Sequence, residues 1–145
     1  MKLVRVFGAV ALSLSLCAPA LAIAKSVDFK TDLLPSSEVP PNMSSGKGHL
    51  DATYDTSTKS LQYKITYSGL TGAATAAHFH APAAAGENAG VVVPIAKDAL
   101  ASPIEGKATL DDKQEADLMA GKWYFNVHTA AHPGGEIRGQ LTPGM

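Results

Sequence analysis

The segment Trp123-Tyr124-Phe125-Asn126-Val127-His128-Thr129 alternates apolar and polar residues. Successive side chains of a β-strand point to opposite faces, so this alternation gives the segment one apolar and one polar face. The apolar set is Trp123, Phe125 and Val127. The polar set is Tyr124, Asn126 and His128. The segment is therefore predicted to be a β-strand that packs its apolar face against a core.

The same period of two recurs through most of the chain, and turn residues such as Gly, Pro and Asn separate the repeats. The clearest further case is Leu61–Tyr67, where four apolar residues alternate with Gln62, Lys64 and Thr66. The other predicted strands are Val27–Leu34, Leu50–Tyr54, Thr75–His80, Val91–Ile95, Ile104–Leu110 and Glu136–Leu141. Short alternating strands at this spacing are typical of antiparallel sheets.

One short helix is predicted between the strands Ile104–Leu110 and Trp123–Thr129. Asp111 can cap its first turn, Gln114 lies three residues on as in a capping box, and Gly121 favours its end. The predicted fold class is all-β: an antiparallel, Greek-key-type β-sandwich or barrel with one short connecting helix.

Residues 1–22 have the pattern of a secretory signal peptide: a basic start, an apolar run from Val6 to Leu16 and the ending Ala20-Leu21-Ala22. A lipoprotein cleavage before Cys17 is an alternative, although Leu16 stands where a small residue is usual. The predicted organisation is a signal peptide followed by one β domain over residues 23–145, in a periplasmic or secreted protein. The apolar run is too short to span a bilayer, so no stable membrane insertion is expected.

Composition narrows the choice of ligands. The chain has 12 basic and 13 acidic residues without a basic stripe, which argues against nucleic-acid binding. Its one cysteine, Cys17, would leave with the signal peptide. Any metal site of the exported domain must therefore use nitrogen and oxygen ligands, with methionine as a further option.

Four of the five histidines lie in two short segments. His78 and His80 flank Phe79, so on a strand they point the same way, about 6 to 7 Å apart at a rise of about 3.3 Å per residue. His128 lies on the polar face of its own strand, and a pairing of the two strands would bring all three together. His132 precedes the turn Pro133-Gly134-Gly135, which can return it to the site as a fourth ligand or leave it as a solvated loop residue. The predicted metal ligands are His78, His80, His128 and His132.

The remaining polar residues near these segments have two interpretations each. Glu136 and Arg138 either pair with each other, or Glu136 orients a ligand imidazole by accepting its N–H. Asn126 is a second candidate for that orienting role. His49 has no partner nearby in the sequence and is interpreted as a surface residue.

Several of these motifs together resemble the CHRD domain, the module named after chordin, from about Phe29 to Leu141. The motifs are Glu38-Val39-Pro40-Pro41, Gly69-Leu70-Thr71-Gly72, Ala76–Pro82, Tyr124–Thr129 and Pro133–Leu141. This resemblance implies an extracellular or exported domain but no defined activity. His132 departs from the family pattern, which has an asparagine before the proline. A looser similarity links the His-x-His strand to copper–zinc superoxide dismutases, although the cysteine pair and the residues of a zinc site are missing.

Three functions follow as hypotheses. The first is an exported metal-binding protein for metal binding, storage or delivery, with copper as the expected ion, zinc as the alternative and another exported copper protein as a candidate partner. The second is a copper-only, superoxide dismutase-like oxidoreductase in which Arg138 attracts the anionic substrate. The third is a metal-free extracellular binding or adhesion module. No catalytic residues are assigned, and the oligomeric state stays open.

Overall fold

The computed structural model describes residues 25–144, which form two four-stranded antiparallel sheets and one helix. The strands are β1 Ser26–Leu33, β2 Lys47–Asp55, β3 Ser60–Ser68, β4 Ala74–His80, β5 Val91–Pro94, β6 Ile104–Thr109, β7 Trp123–Thr129 and β8 Ile137–Leu141. Helix α1 spans Asp112–Met119, and two 3-10 turns lie at Pro35–Ser37 and Lys97–Ala99. The predicted signal peptide, residues 1–22, lies outside the described residues.

The strand order is β1-β2-β3-β6 in the first sheet and β5-β4-β7-β8 in the second. The prediction of an all-β sandwich with one short helix is confirmed, and the two separate sheets exclude the barrel alternative. Among residues 25–144, no helix is long and apolar enough to cross a membrane.

The core lies between the two sheets and is built from the apolar face of each strand. Phe79 contacts aromatic rings of both sheets, with ring centroids 4.7 Å from Phe125 and 5.1 Å from Tyr63. Phe79, Trp123 and Phe125 are fully buried, as their alternation predicts. Burying each such side chain contributes about 1.5–3 kcal/mol, so these strands hold their register firmly.

Helix α1 begins and ends where its sequence signals predict. The backbone N–H of Gln114 donates to Asp111 Oδ1 at 2.8 Å, and the Gln114 amide oxygen accepts from the Asp111 N–H at 3.0 Å. This capping box satisfies two backbone donors of the first turn. Gly121 follows the helix with φ of +70°, a conformation that favours glycine. Leu118 is the buried side chain of the helix.

Strands β4 and β7 are neighbours in the second sheet, which the sequence could only assume. They pair antiparallel, with His78 opposite Asn126, His80 opposite Tyr124 and Ala76 opposite His128. Since Phe79, Phe125 and Val127 face the core, these polar side chains share the outer face of the sheet. The pairing therefore brings the two histidine segments to one place.

Candidate metal centre

Three histidines on the outer face of the second sheet form one group, here called the histidine cluster: His78, His80 and His128. Each offers a ring nitrogen, and these nitrogens all lie within 4.8 Å of one another. Ring centroids are 5.0 Å apart for His78 and His128 and 5.5 Å apart for His78 and His80. Histidines from two strands therefore converge on one point, as predicted for a pairing of these strands.

His78 and His128 form the closest pair of the cluster. His78 Nδ1 lies 3.2 Å from His128 Nε2, and His128 Nδ1 lies 2.9 Å from the carbonyl oxygen of Pro133. A carbonyl only accepts, so His128 carries its proton on Nδ1 and turns the lone pair of Nε2 toward His78. The contact between the two rings then holds one proton, donated by His78 Nδ1.

The distance between His78 Nδ1 and His128 Nε2 also suits a metal site. Two nitrogens 3.2 Å apart subtend about 100° at an ion about 2.0–2.1 Å from each, close to the angle between tetrahedral ligands. The pair is therefore suited to hold one ion in place of one shared proton. The backbone carbonyl of Pro133 fixes the ring of His128 from behind, as orienting groups do in known metal sites.

His80 is held differently, since both of its ring nitrogens contact oxygen atoms. Nδ1 lies 2.9 Å from the carbonyl oxygen of Ala89, and Nε2 lies 3.0 Å from Asn126 Oδ1. Its ring stacks on Tyr124 with centroids 4.6 Å apart and planes 6° from parallel. The ring is therefore held on one face by Tyr124 and at both nitrogens by oxygen atoms, and His80 is only 8% exposed.

Burial favours the neutral, metal-binding form of His78 and His80. Desolvation lowers the pKa of His78, and the neighbouring His128 and His80 lower it further. Desolvation is also the largest influence on His80, whose pKa is lowered although hydrogen bonds to Ala89 and Asn126 act against the shift. A metal ion binds the neutral imidazole, so a lowered pKa favours ligation at neutral pH.

Two other histidines lie apart from the histidine cluster. His132 is in the predicted loop, where its N–H and carbonyl bond within the turn to Thr129 and Gly135, and within residues 25–144 it does not belong to the ligand group. His49 is on the outer face of the first sheet, as predicted, with Nδ1 2.7 Å from Asp32 Oδ1. Neither histidine extends the cluster.

Glu136 has neither of its two predicted roles. It is fully buried and accepts four hydrogen bonds: from Ser44 Oγ at 2.5 Å, Thr71 N at 2.8 Å, Thr71 Oγ1 at 2.7 Å and Thr129 Oγ1 at 2.6 Å. Burial raises the pKa of this carboxyl, but the hydrogen bonds outweigh it and lower the pKa to about 2. We call these four residues, Ser44, Thr71, Thr129 and Glu136, the Glu136 cluster. It ties three chain segments together, and none of the four hydrogen bonds to Glu136 comes from a histidine.

Of the two candidates for the orienting role, Asn126 is the one that contacts a histidine of the cluster. Its amide bridges the histidine cluster and a buried carboxylate: Oδ1 faces His80 Nε2, and Nδ2 donates to Glu38 Oε1 at 3.2 Å. Glu38 is 3% exposed, and desolvation raises its pKa. Sequence reasoning missed Glu38 because it comes from the loop after β1, with no local link to either histidine segment.

Comparison with known families identifies the chain. The family model described as "CHRD domain" matches residues 29–141. The chain belongs to the CHRD domain family. No curated protein and no solved structure matches it.

Arg138 is a structural residue of this CHRD domain. Its guanidinium lies 3.4 Å from the ring centroid of Tyr124, and it donates to Asn88 Oδ1 at 3.0 Å and to the carbonyl of Glu87. It is 2% exposed. These contacts stack Arg138, Tyr124 and His80 in one column and fasten the loop that follows β4. A guanidinium used in this way is not available to attract an anionic substrate from solvent.

Proposed function

We propose that this CHRD domain is an exported metal-binding protein that holds one copper ion at the histidine cluster, for metal binding, storage or delivery. The observation that carries the proposal is the convergence of three ring nitrogens, from two strands, within 4.8 Å. Export rests on the signal-like sequence of residues 1–22 and agrees with membership of a largely extracellular family.

Copper is favoured over zinc by the ligand set. Imidazole nitrogens suit both ions, but Cu²⁺ binds nitrogen sites more tightly than the other divalent first-row metals. His78 and His128 are only partly buried, so an ion between them stays within reach of a second protein. That exposure supports delivery to another exported copper protein.

A competition titration tests the proposal. The tag-free protein is titrated with Cu²⁺ against a chelator of known affinity, and with Zn²⁺ in a parallel series. We expect one Cu²⁺ per chain, and at least a hundredfold weaker binding in the His78→Ala/His128→Ala variant, which removes the paired nitrogens.

Two matched controls remove a histidine elsewhere. His49→Ala and His132→Ala each delete one imidazole outside the cluster, and we expect both to bind Cu²⁺ as the parent does. Undiminished binding in the His78→Ala/His128→Ala variant would refute the site. A loss confined to His132→Ala would move the ligand set into the loop before Pro133.

A further inference from the structure

Asn126 lies among the three histidines of the cluster, on the outer face of the second sheet. In the pairing of β4 with β7, Asn126 stands opposite His78, and on its own strand it lies two residues from His128. Its amide oxygen contacts His80 at 3.0 Å. Asn126 is therefore the immediate neighbour of all three members of the histidine cluster. Asn126 is 3% exposed, so its amide is shielded from solvent.

The orientation of the Asn126 amide is set from the other side. Glu38 Oε1 lies 3.2 Å from Nδ2, and a carboxylate only accepts hydrogen bonds. The amide nitrogen therefore faces Glu38, and the amide oxygen must face His80. Gly135 locks the arrangement, since a Cβ atom at this position would overlap Glu38 Oε1 and come within 2.7 Å of Asn126 Nδ2.

This orientation leaves His80 without a nitrogen free for a metal ion. One nitrogen is directed at the carbonyl of Ala89 and the other at Asn126. An imidazole ligates through a lone pair that points at the ion. Neutral His80 has one N–H and one lone pair, and whichever nitrogen carries the proton, the lone pair of the other faces an oxygen atom. His78 and His128, in contrast, turn nitrogens toward each other and are ready to bind.

We propose that Asn126 gates the metal centre: the ion binds first between His78 and His128, and His80 becomes the third ligand only when its Nε2 leaves the Asn126 amide oxygen. This inference rests on the proposed function, because it assigns an order of ligation to the same site. Asn126 is a positioning residue, which contacts a ligand rather than the ion.

The gate makes affinity depend on one hydrogen bond. In the nearly isosteric variant Asn126→Leu the oxygen opposite Nε2 is gone, so His80 donates its one proton from Nδ1 to the carbonyl of Ala89 and the lone pair of Nε2 is free. In the parent the buried amide oxygen of Asn126 loses its partner when the ion binds Nε2, and in the variant no such oxygen is present, so we expect Cu²⁺ to bind about two- to tenfold more tightly. The gain must disappear when His80 is absent, so Asn126→Leu/His80→Ala should bind like His80→Ala.

Asn126→Leu leaves Glu38 without its amide partner, so a second variant guards against misfolding. Glu38→Met/Asn126→Leu replaces both partners by apolar groups of similar shape, which proteins tolerate better than a single orphaned partner. Gln140→Met is the matched control: this amide lies on the same sheet face and bonds to the carbonyls of Ala83 and Gly121, away from the histidines. We expect it to leave Cu²⁺ affinity unchanged.

The decisive experiment is Cu²⁺ competition titration of the parent, His78→Ala, His80→Ala, Asn126→Leu and Asn126→Leu/His80→Ala. Tighter binding in Asn126→Leu that vanishes without His80 supports the gate. Unchanged or weaker binding in Asn126→Leu and in Glu38→Met/Asn126→Leu, or a gain that persists without His80, overturns it. If the parent itself binds no stoichiometric Cu²⁺, or His78→Ala binds as the parent does, the proposed function fails as well.

Nitrogen NMR on the parent gives an independent readout that needs no variant. The ¹⁵N shifts of His80 are followed during loading with Zn²⁺, which is diamagnetic. We expect Nε2 of His80 to change from a hydrogen-bonded to a metal-bound shift as the site fills. If His78 and His128 shift while His80 keeps its original shifts, the ordered ligation is wrong.

Discussion

Adjacent residues of β7, His128 and Thr129, belong to two polar clusters with opposite properties. In the Glu136 cluster, each carboxylate oxygen accepts two hydrogen bonds, so no bonding capacity is left over. In the histidine cluster, two rings share one proton, and the third has two acceptors at its two nitrogens. A satisfied buried cluster stabilises the fold, whereas an incompletely satisfied one is able to take up a ligand.

The largest expected effect is a loss of stability when a hydrogen bond of the Glu136 cluster is removed. Glu136→Gln replaces an acceptor oxygen by an amide nitrogen that faces donors, so at least two of the four hydrogen bonds are lost. Hydrogen bonds to a charged group contribute about 1.5–3 kcal/mol each, and we expect the free energy of unfolding to fall by about 3 kcal/mol or more. Urea denaturation measures this, and a loss below about 1 kcal/mol would contradict the role given to Glu136.

Acid titration examines the same residue without a mutation. The folded-state pKa of Glu136 is about 2, against an ordinary value of 4.5. Its contribution is complete above pH 4.5 and is lost as the pH falls toward 2, about 3 kcal/mol in total at 1.36 kcal/mol per unit of pKa. Glu136→Gln should lack this part of the acid unfolding curve, and an unchanged curve would assign the acid sensitivity to another group.

The next effect belongs to the histidine cluster. A ligand that binds only the folded state at a hundred times its Kd raises the free energy of unfolding by about 2.7 kcal/mol. We expect Cu²⁺ to do so for the parent protein and to have no such effect on His78→Ala/His128→Ala. Equal stabilisation of both proteins in a thermal melt would place the copper elsewhere.

Gly135 joins the two regions, since it precedes Glu136 and packs against Glu38 and Asn126. Its φ of +130° disfavours any side chain, and a Cβ would overlap the Glu38 carboxylate. Gly135→Ala should cost about 1–3 kcal/mol of stability and also alter Cu²⁺ affinity, because the Asn126 amide has to move. Gly134→Ala is the control, since a Cβ there has nothing within 4 Å.

A smaller effect concerns pH near neutrality. The pKa values of His78 and His80 lie below the ordinary 6.5, so between those values the unfolded chain binds more protons than the folded one. Their contribution to stability is complete above pH 6.5 and is lost as the pH falls through the lowered pKa values. Denaturation at pH 7.5 and 5.5 should show a smaller difference in His78→Ala than in the parent.

The smallest effect is expected at the surface. His49 pairs with Asp32 and Asp51 in solvent, where such pairs contribute about 0–1 kcal/mol. His49→Ala should therefore change the free energy of unfolding by no more than about 0.5 kcal/mol. A larger change would mean that exposed pairs matter in this sheet as much as buried clusters do.

The same contrast explains what the sequence could predict. Alternation is a local property, so the sequence predicts the bounds of β7 as the structure has them, and it also predicts the capping residues of α1. The sequence also predicts which residues lie on the outer face of the second sheet, because Phe79 and Phe125 identify its inner face. Strand order is a long-range property, and the meeting of His78 with His128 was an assumption that the pairing of β4 with β7 confirms.

What the sequence could not predict comes from loops that cross between elements. Ser44 and Thr71 lie 92 and 65 residues from Glu136, and nothing local in the chain links them. The loop carbonyl of Ala89 and the side chain of Asn126 account for the burial of His80, which alternation alone would have left exposed. Glu38 lies 88 residues before Asn126, so no local pattern of the sequence links these two residues either.

The most direct test of a shared metal ion is an anomalous difference map from a crystal of the protein soaked with Cu²⁺. We predict one peak about 2.0–2.1 Å from ring nitrogens of both His78 and His128, with His80 drawn in as the third ligand. A peak at His49 or His132 with none between β4 and β7 would contradict the account.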